Sequence, residues 1–271
     1  MLYLALSVLC SVFIANFLMV VGRKGGLSML PIFLGNYFVA ALIGAFSMKS
    51  APAVASGFDL GLGLVIGAFY LGGFWTYQKS IVANGLSLSV GAMRISMILP
   101  IVISLIFFGE KLSVYNLMGI ILGITAFSFR ADPKALHNFL WIIALFVVTG
   151  LSDGSMKVFK ELGSGNEQLF VYLIFSSAFV YTLIAILATK LRFSVKYVFF
   201  GFALGLPNRY ATVFLLKSLN TIPAAIAYPL LAVSIVIMSI ISDILFWKMR
   251  PSAKDYILWM LLILSLILLN M

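Results

Sequence analysis

Apolar residues run along this chain in blocks of about 20, the length a helix needs to cross a bilayer, and polar residues gather in the short stretches between them. The blocks fall near 2–21, 29–48, 58–78, 86–108, 113–129, 138–156, 168–189, 195–216, 222–247 and 252–270. In lipid, a helix satisfies its own backbone donors and acceptors, which water is not there to meet. The pattern therefore predicts an all-α polytopic membrane protein of ten transmembrane helices. Chain breakers separate the blocks: Gly22 to Gly26, Pro52 to Gly57, Asn84 with Gly85, Gly109 to Ser113, Asp132 with Pro133, Gly163 to Asn166, and Pro251. No gap has room for a soluble domain, so any chemistry is expected inside the helix bundle or at its mouths. The first block has neither a basic approach nor a small-residue cleavage site, so it is expected to remain as the first span.

The chain also overlays on itself when shifted by 138 positions. Lys79-Ser80 then falls on Lys217-Ser218, Gly63 on Gly201, Gly67 on Gly205, Ser96 on Ser234 and Phe108 on Phe246, without a gap over this stretch, and further out the shift slips by one or two, so that Ala5 meets Ala144 and Ala15 meets Gly154. This predicts two five-helix repeats, residues 1–133 and 134–271. Five is odd, so the second copy enters the membrane from the side opposite to the first, and the repeats are expected to be inverted. Inverted repeats place a solute site near the midplane, which rocking of one half exposes to each side in turn.

Composition agrees with the blocks. Hydrophobic residues make up 63% and charged ones 10%, with a mean hydropathy of +1.16, well outside the range of soluble domains. The net charge of +10 is spread singly or in pairs between apolar runs, as membrane-edge charge is, and does not form a nucleic-acid patch. Cys10 is the one cysteine and His137 the one histidine, so no metal or cofactor site and no thiol chemistry are expected. Paired catalytic groups at one membrane face are also missing, which argues against an enzyme. With the first loop's side called B, that side gathers Arg23, Lys24, Lys79, Arg130, Lys134, Lys190, Arg192, Lys196, Lys248, Arg250 and Lys254. The other side gathers Lys49, Lys111, Lys157, Lys160 and Lys217. The positive-inside rule makes side B cytoplasmic and places both termini outside.

The segment Ile103 to Ile121, ISLIFFGEKLSVYNLMGII, resembles the end of the fourth helix and start of the fifth in the drug/metabolite transporter superfamily, where a Gly-Glu pair closes one helix. Its second copy, Ile244 to Leu258, ILFWKMRPSAKDYIL, is similar but carries Trp247-Lys248 in place of Gly-Glu. Ten spans in two repeats also resemble the EamA-like branch of that superfamily. The resemblance implies a carrier, usually an exporter of small metabolites or drugs, in a bacterial cytoplasmic membrane. It implies both termini inside, against the charge count. The family glutamate maps to Glu110, which is expected to accept backbone N–H bonds at the next helix's N-terminus.

Charges in mid-span cost about 2.5–3.5 kcal/mol each on insertion scales and persist only where they face protein or water. Arg94 and Arg209 are of this kind, and the repeat shift sets Ala232 and Leu71 opposite them, so neither is explained by the duplication. A guanidinium offers fixed donors that suit a carboxylate or phosphate. The alternative is a pair with Asp153 or a backbone carbonyl. Asp153 and Lys157 stand four apart on one helix face and are expected to pair with each other, as a structural bridge or as a gate or coupling site. Lys79 and Lys217 are expected to reach for the interface. The third span with Tyr70, Trp75 and Tyr77 and the eighth with Pro207, Asn208 and Tyr210 are expected to line a cavity, with Tyr228, Asn16, Asn36 and Ser234 as further pointers. Pro100, Pro223 and Pro229 are candidate hinges. The ordinary alternative for each is helix packing.

The expected function is secondary-active transport of a small organic solute, anionic or zwitterionic because these cations outnumber the mid-span acids. Proton or counter-solute coupling is implied, with the bilayer and the solute as partners and no nucleic acid. A cationic-drug exporter, which needs an unpaired acid such as Asp153, and a lipid-carrier flippase are the alternatives.

Overall fold

The structure, a computed structural model, describes residues 1–22, 29–48, 55–129, 137–246, 248 and 253–271. The expected breakers Gly25, Gly26, Pro52, Asp132, Pro133 and Pro251 lie outside the described residues, as do Trp247 and the charges Arg23, Lys24, Lys49, Arg130, Lys134 and Arg250. The repeat boundary at 133 and 134 also lies outside them.

Ten helices are described, and no strand is found among the described residues. They are α1 (Leu2–Gly22), α2 (Leu30–Met48), α3 (Gly57–Ile95), α4 (Ile98–Phe107), α5 (Val114–Phe129), α6 (Phe139–Leu162), α7 (Glu167–Ala188), α8 (Lys196–Ser218), α9 (Ala224–Leu245) and α10 (Ala253–Leu269). Eight stretches among them are long and apolar enough to cross a membrane, while 114–128 and 255–269 are shorter apolar helices.

The boundary between the third and fourth spans differs from expectation. Helical hydrogen bonding continues from Gly57 to Ile95, yet the hydroxyls of Ser80 and Ser89 lie 2.7 Å apart. Nine residues of straight helix separate two side chains by about 13.5 Å along the axis and set them on opposite faces. The run therefore turns back on itself between Ser80 and Ser89, and the apolar stretches among the described residues are Gly57–Asn84 and Leu88–Phe107. Asn84 lies within that interval. Its amide donates to the Asn138 carbonyl at 2.9 Å and its oxygen accepts from the His137 and Asn138 backbones at 2.9 and 2.7 Å. The helical pattern breaks instead at Ser96 and Met97, ahead of Pro100, which cannot donate to the Ser96 carbonyl.

Packing divides the chain into two compact units, Met1–Leu71 with Val158–Ser218, and Gly72–Lys157 with Leu219–Met271. Neither unit follows the sequence halves, since each draws helices from both. In the first unit α8 packs on α1 and α2, and α2 also packs on α7; in the second α10 packs on α5 and α9, and α4 packs on α9.

In the first unit, four glycines permit close approaches that follow one spacing. A Cβ on Gly201 would strike the Ile32 carbonyl oxygen and fall 2.8 Å from the Asn36 nitrogen, and one on Gly205 would fall 2.6 Å from Val39 Cβ. On the other pair of helices, a Cβ on Gly63 would fall 2.8 Å from Leu173 Cβ and 3.6 Å from the Ile174 nitrogen, and one on Gly67 would strike the Ser177 hydroxyl. Gly201 meets 36 where Gly63 meets 174, and Gly205 meets 39 where Gly67 meets 177; each of these pairs differs by the same 138. The glycines of α3 and α8 thus approach positions on α7 and α2 that are related by the same shift of 138.

Candidate functional site

The first unit holds a buried guanidinium. Pro207 stands at the middle of α8, leaving the Ala203 carbonyl without its usual donor. Asn208, next in sequence, donates to Asn36 Oδ1 on α2 at 3.2 Å. Arg209 follows and is 1% exposed. Its Nη2 donates to Gln168 Oε1 on α7 at 2.6 Å, while Nη1 is buried with no hydrogen-bond partner. No carboxylate pairs with it among the described residues, because Glu167, beside Gln168, is held by Lys160 at 2.6 Å. Room for Nη1 exists because α2 carries a glycine there: a Cβ on Gly44 would fall 2.7 Å from it. A buried cation without an anion is strongly disfavoured in apolar surroundings, and a buried donor left unmet calls for an explanation.

An open cleft of about 510 Å³ adjoins this group, lined by Ser164, Gly165, Asn166, Glu167, Gln168 and Lys217. Asn166 caps α7 by accepting from the Leu169 nitrogen at 3.1 Å. Asp59, fully buried in the first turn of α3, accepts from the Ser164 nitrogen at 3.2 Å and so holds the cleft's floor. Lys217 lies 5.3 Å from the centre of the Tyr3 ring. Tyr70 sits 3.4 Å from the Thr212 hydroxyl and packs edge-on against Phe175 at 5.7 Å. Tyr210 leans on Phe214 at 5.6 Å.

The second unit holds a separate set of charges. Lys157 does not pair with Asp153 as its spacing suggested; it pairs with Glu110 at 2.7 Å. The i, i+4 geometry only makes a pair reachable, and Glu110 offers Lys157 a carboxylate already ordered by two backbone bonds. Those bonds come from the Ala224 and Ala225 nitrogens at 2.9 and 2.7 Å. Glu110 therefore caps a helix as expected, but the helix is α9 and not the next one, α5. Pro223, expected as a hinge, is instead the N-cap residue of α9, whose carbonyl accepts from Ile226 and Ala227 at 3.0 and 2.8 Å. Asp153 is left without an ion pair among the described residues, in the electrostatic neighbourhood of Arg94, which also feels Tyr77. Tyr228 donates to the Asp153 backbone carbonyl at 2.5 Å. Arg94 Nε is buried without a partner. Gly150 and Gly154 let α6 lie against Ser96, Leu99 and Ile103, which fixes this neighbourhood. Trp75, 54% exposed, meets only the Trp141 ring edge at 5.4 Å among the aromatic contacts described.

No family model matches the chain. A protein of Haemophilus influenzae described as uncharacterized is 23% identical over 274 aligned positions, 94% of this chain and 92% of that one. A solved crystal structure, 10% identical, matches with a TM-score of 0.77 over 99% of this chain and 98% of that chain. That likeness establishes the fold alone.

Of the residues singled out from sequence, Tyr70, Asn208, Arg209 and Tyr210 belong to the first unit, and Trp75, Tyr77, Arg94, Asp153, Lys157 and Tyr228 to the second. Arg209 and Asn208 meet polar partners on neighbouring helices. Tyr210 meets an aromatic ring, and Asn16 donates to the Val12 carbonyl of its own helix. Sequence reasoning missed Gln168, Gly44 and Asp59. Gln168 and Asp59 stand in the first turns of their helices, where a polar side chain reads as an ordinary end residue. Gly44 is one small residue among many.

Proposed function

We propose that this chain is a secondary-active carrier of a small organic solute, anionic or zwitterionic, working by alternating access between two inverted five-helix repeats. The observation that carries the reading is Arg209: a fully buried guanidinium in mid-span, with no carboxylate partner among the described residues and one terminal nitrogen unmatched. Such a group is retained where something anionic visits it. The matched clasps of Gly63, Gly67, Gly201 and Gly205 support the repeat, since an exchange of the two copies carries one set of contacts onto the other. Pairing of α2 with α7, α4 with α9 and α5 with α10 supports it too, because helices related by a two-fold axis meet at that axis. The resemblance of the Gly109-Glu110 segment to drug/metabolite transporters points the same way, and a bacterial cytoplasmic membrane is the setting it implies.

The test is ligand-induced stabilisation of the purified protein, followed by uptake into vesicles. A ligand at a hundred times its Kd adds about 2.7 kcal/mol to stability, enough to move the melting temperature by several degrees. Organic anions are expected to stabilise the wild type and not Arg209→Ala, and the variant is expected to insert normally but to carry none of the stabilising solute. Asp153, which has no ion pair among the described residues, favours a cation exporter as the second reading. Stabilisation by organic cations alone, lost in Asp153→Asn, would establish that reading in place of the first.

A further inference from the structure

Gln168 occupies one half of a fork that has two. The terminal edge of a guanidinium presents two parallel N–H groups, and a carboxylate answers both with its two oxygens. An amide has one acceptor oxygen. At Arg209 that oxygen sits on Nη2, at 2.6 Å, and Nη1 goes without. The unmet nitrogen packs against Gly44, where a Cβ would fall 2.7 Å from it, so the glycine admits the guanidinium while offering that nitrogen no acceptor. Gln168 also lines the cleft that holds Lys217, so the group covering Arg209 is itself reached from an open volume of about 510 Å³. Glu167, the nearest acid in sequence, is bound to Lys160 and does not compete.

We propose that Gln168 is a displaceable stand-in ligand for Arg209. A carboxylate-bearing solute enters by the cleft beside Lys217 and takes both terminal N–H groups, and Gln168 swings off. The proposal rests on the carrier reading and says how its anion site is held when empty. It takes a carboxylate as the ligand class; the same fork accepts two oxygens of a phosphate, so phosphate is the comparison that tests the choice. A stand-in that must be removed weakens binding, whereas a residue that positions the arginine strengthens it, so the two roles differ in sign.

The experiment measures binding of acetate and benzoate, with inorganic phosphate and choline as comparison ligands, to the purified full chain. Gln168→Met keeps the length of the side chain and removes the competing oxygen. It is expected to bind carboxylates about tenfold tighter, since a hydrogen bond to a charged group is being given back. Gln168→Ala is expected to change binding in the same direction and serves if the Met variant does not fold. Gln168→Glu supplies a permanent carboxylate and is expected to abolish binding while raising the melting temperature. Equal or weaker carboxylate binding by both the Met and Ala variants overturns the stand-in role, and if the wild type still binds in an Arg209-dependent way, the carrier reading survives that result. Tighter binding of phosphate than of either carboxylate overturns the ligand class. Absence of any anion binding in the wild type overturns both the stand-in and the anion-carrier reading.

Discussion

Glu110 does three things with two oxygens, accepting from two backbone nitrogens at the start of α9 and holding Lys157 at 2.7 Å. Lys157 is 6% exposed, so neutralising Glu110 takes a close anion away from a buried ammonium. Glu110→Gln is expected to destabilise the protein by about 3–5 kcal/mol, the range for breaking a buried pair from one side. Glu110→Gln with Lys157→Met should recover much of that loss, because the stranded charge goes with the second change. Melting curves of the two single variants and the double variant decide it; additive losses would show that the pair is not coupled. The residues of this corner were unevenly legible. That Glu110 caps a helix followed from its place at a corner, but which helix depends on tertiary packing, and no spacing rule reaches from 110 to 224. Arg209 announced itself because ionised groups are rare in apolar spans. Gln168 did not, because a neutral amide in a first turn costs little and signals nothing.

Helices in this protein were read from apolar length, which located the ten elements but not how the third ends. An unbroken helical pattern from Gly57 to Ile95 and a reversal near Asn84 are compatible only because Ser80 and Ser89 meet, a contact with no counterpart in hydropathy. The glycines were legible as a repeat but not as clasps. Gly201 approaches the Ile32 carbonyl so closely that an added Cβ displaces backbone, which does not yield as a flexible side chain does. Gly201→Ala is expected to cost about 1–3 kcal/mol or more as an overpacked contact, and Gly67→Ala should cost a similar amount at the matching clasp. Gly61, in α3, has nothing within 4 Å of its would-be Cβ. Gly61→Ala is therefore expected to be neutral or stabilising by up to about 1 kcal/mol, from helix propensity. Melting temperatures and monodisperse yield of the three variants test this. A Gly201→Ala protein as stable as Gly61→Ala would mean that α8 does not lie against α2 as described.

For the molecule entire, the duplicated pattern and the compact units answer different questions. Duplication concerns the order of residues along the chain, and each unit takes helices from both copies. Exchange of partners between copies is what a two-fold relation gives when equivalent helices meet across an axis, and an odd number of spans per copy makes that axis lie in the membrane plane. This reading needs the short helices α5 and α10 to cross as well as the eight longer stretches, and it needs the reversal near Asn84 to separate two spans. Lys79 and Lys217 expose the consequence. The shift of 138 relates them at the ends of the third and eighth spans, and under the proposed inverted repeat they stand five crossings apart, on opposite sides of the bilayer. In a background with Cys10→Ser, which leaves no other thiol, Lys79→Cys and Lys217→Cys are expected to react with a membrane-impermeant thiol reagent from opposite faces. One should label in right-side-out vesicles and the other in inverted ones. Labelling of both from the same face would mean an even number of crossings between them, and would remove the inverted repeat on which alternating access depends.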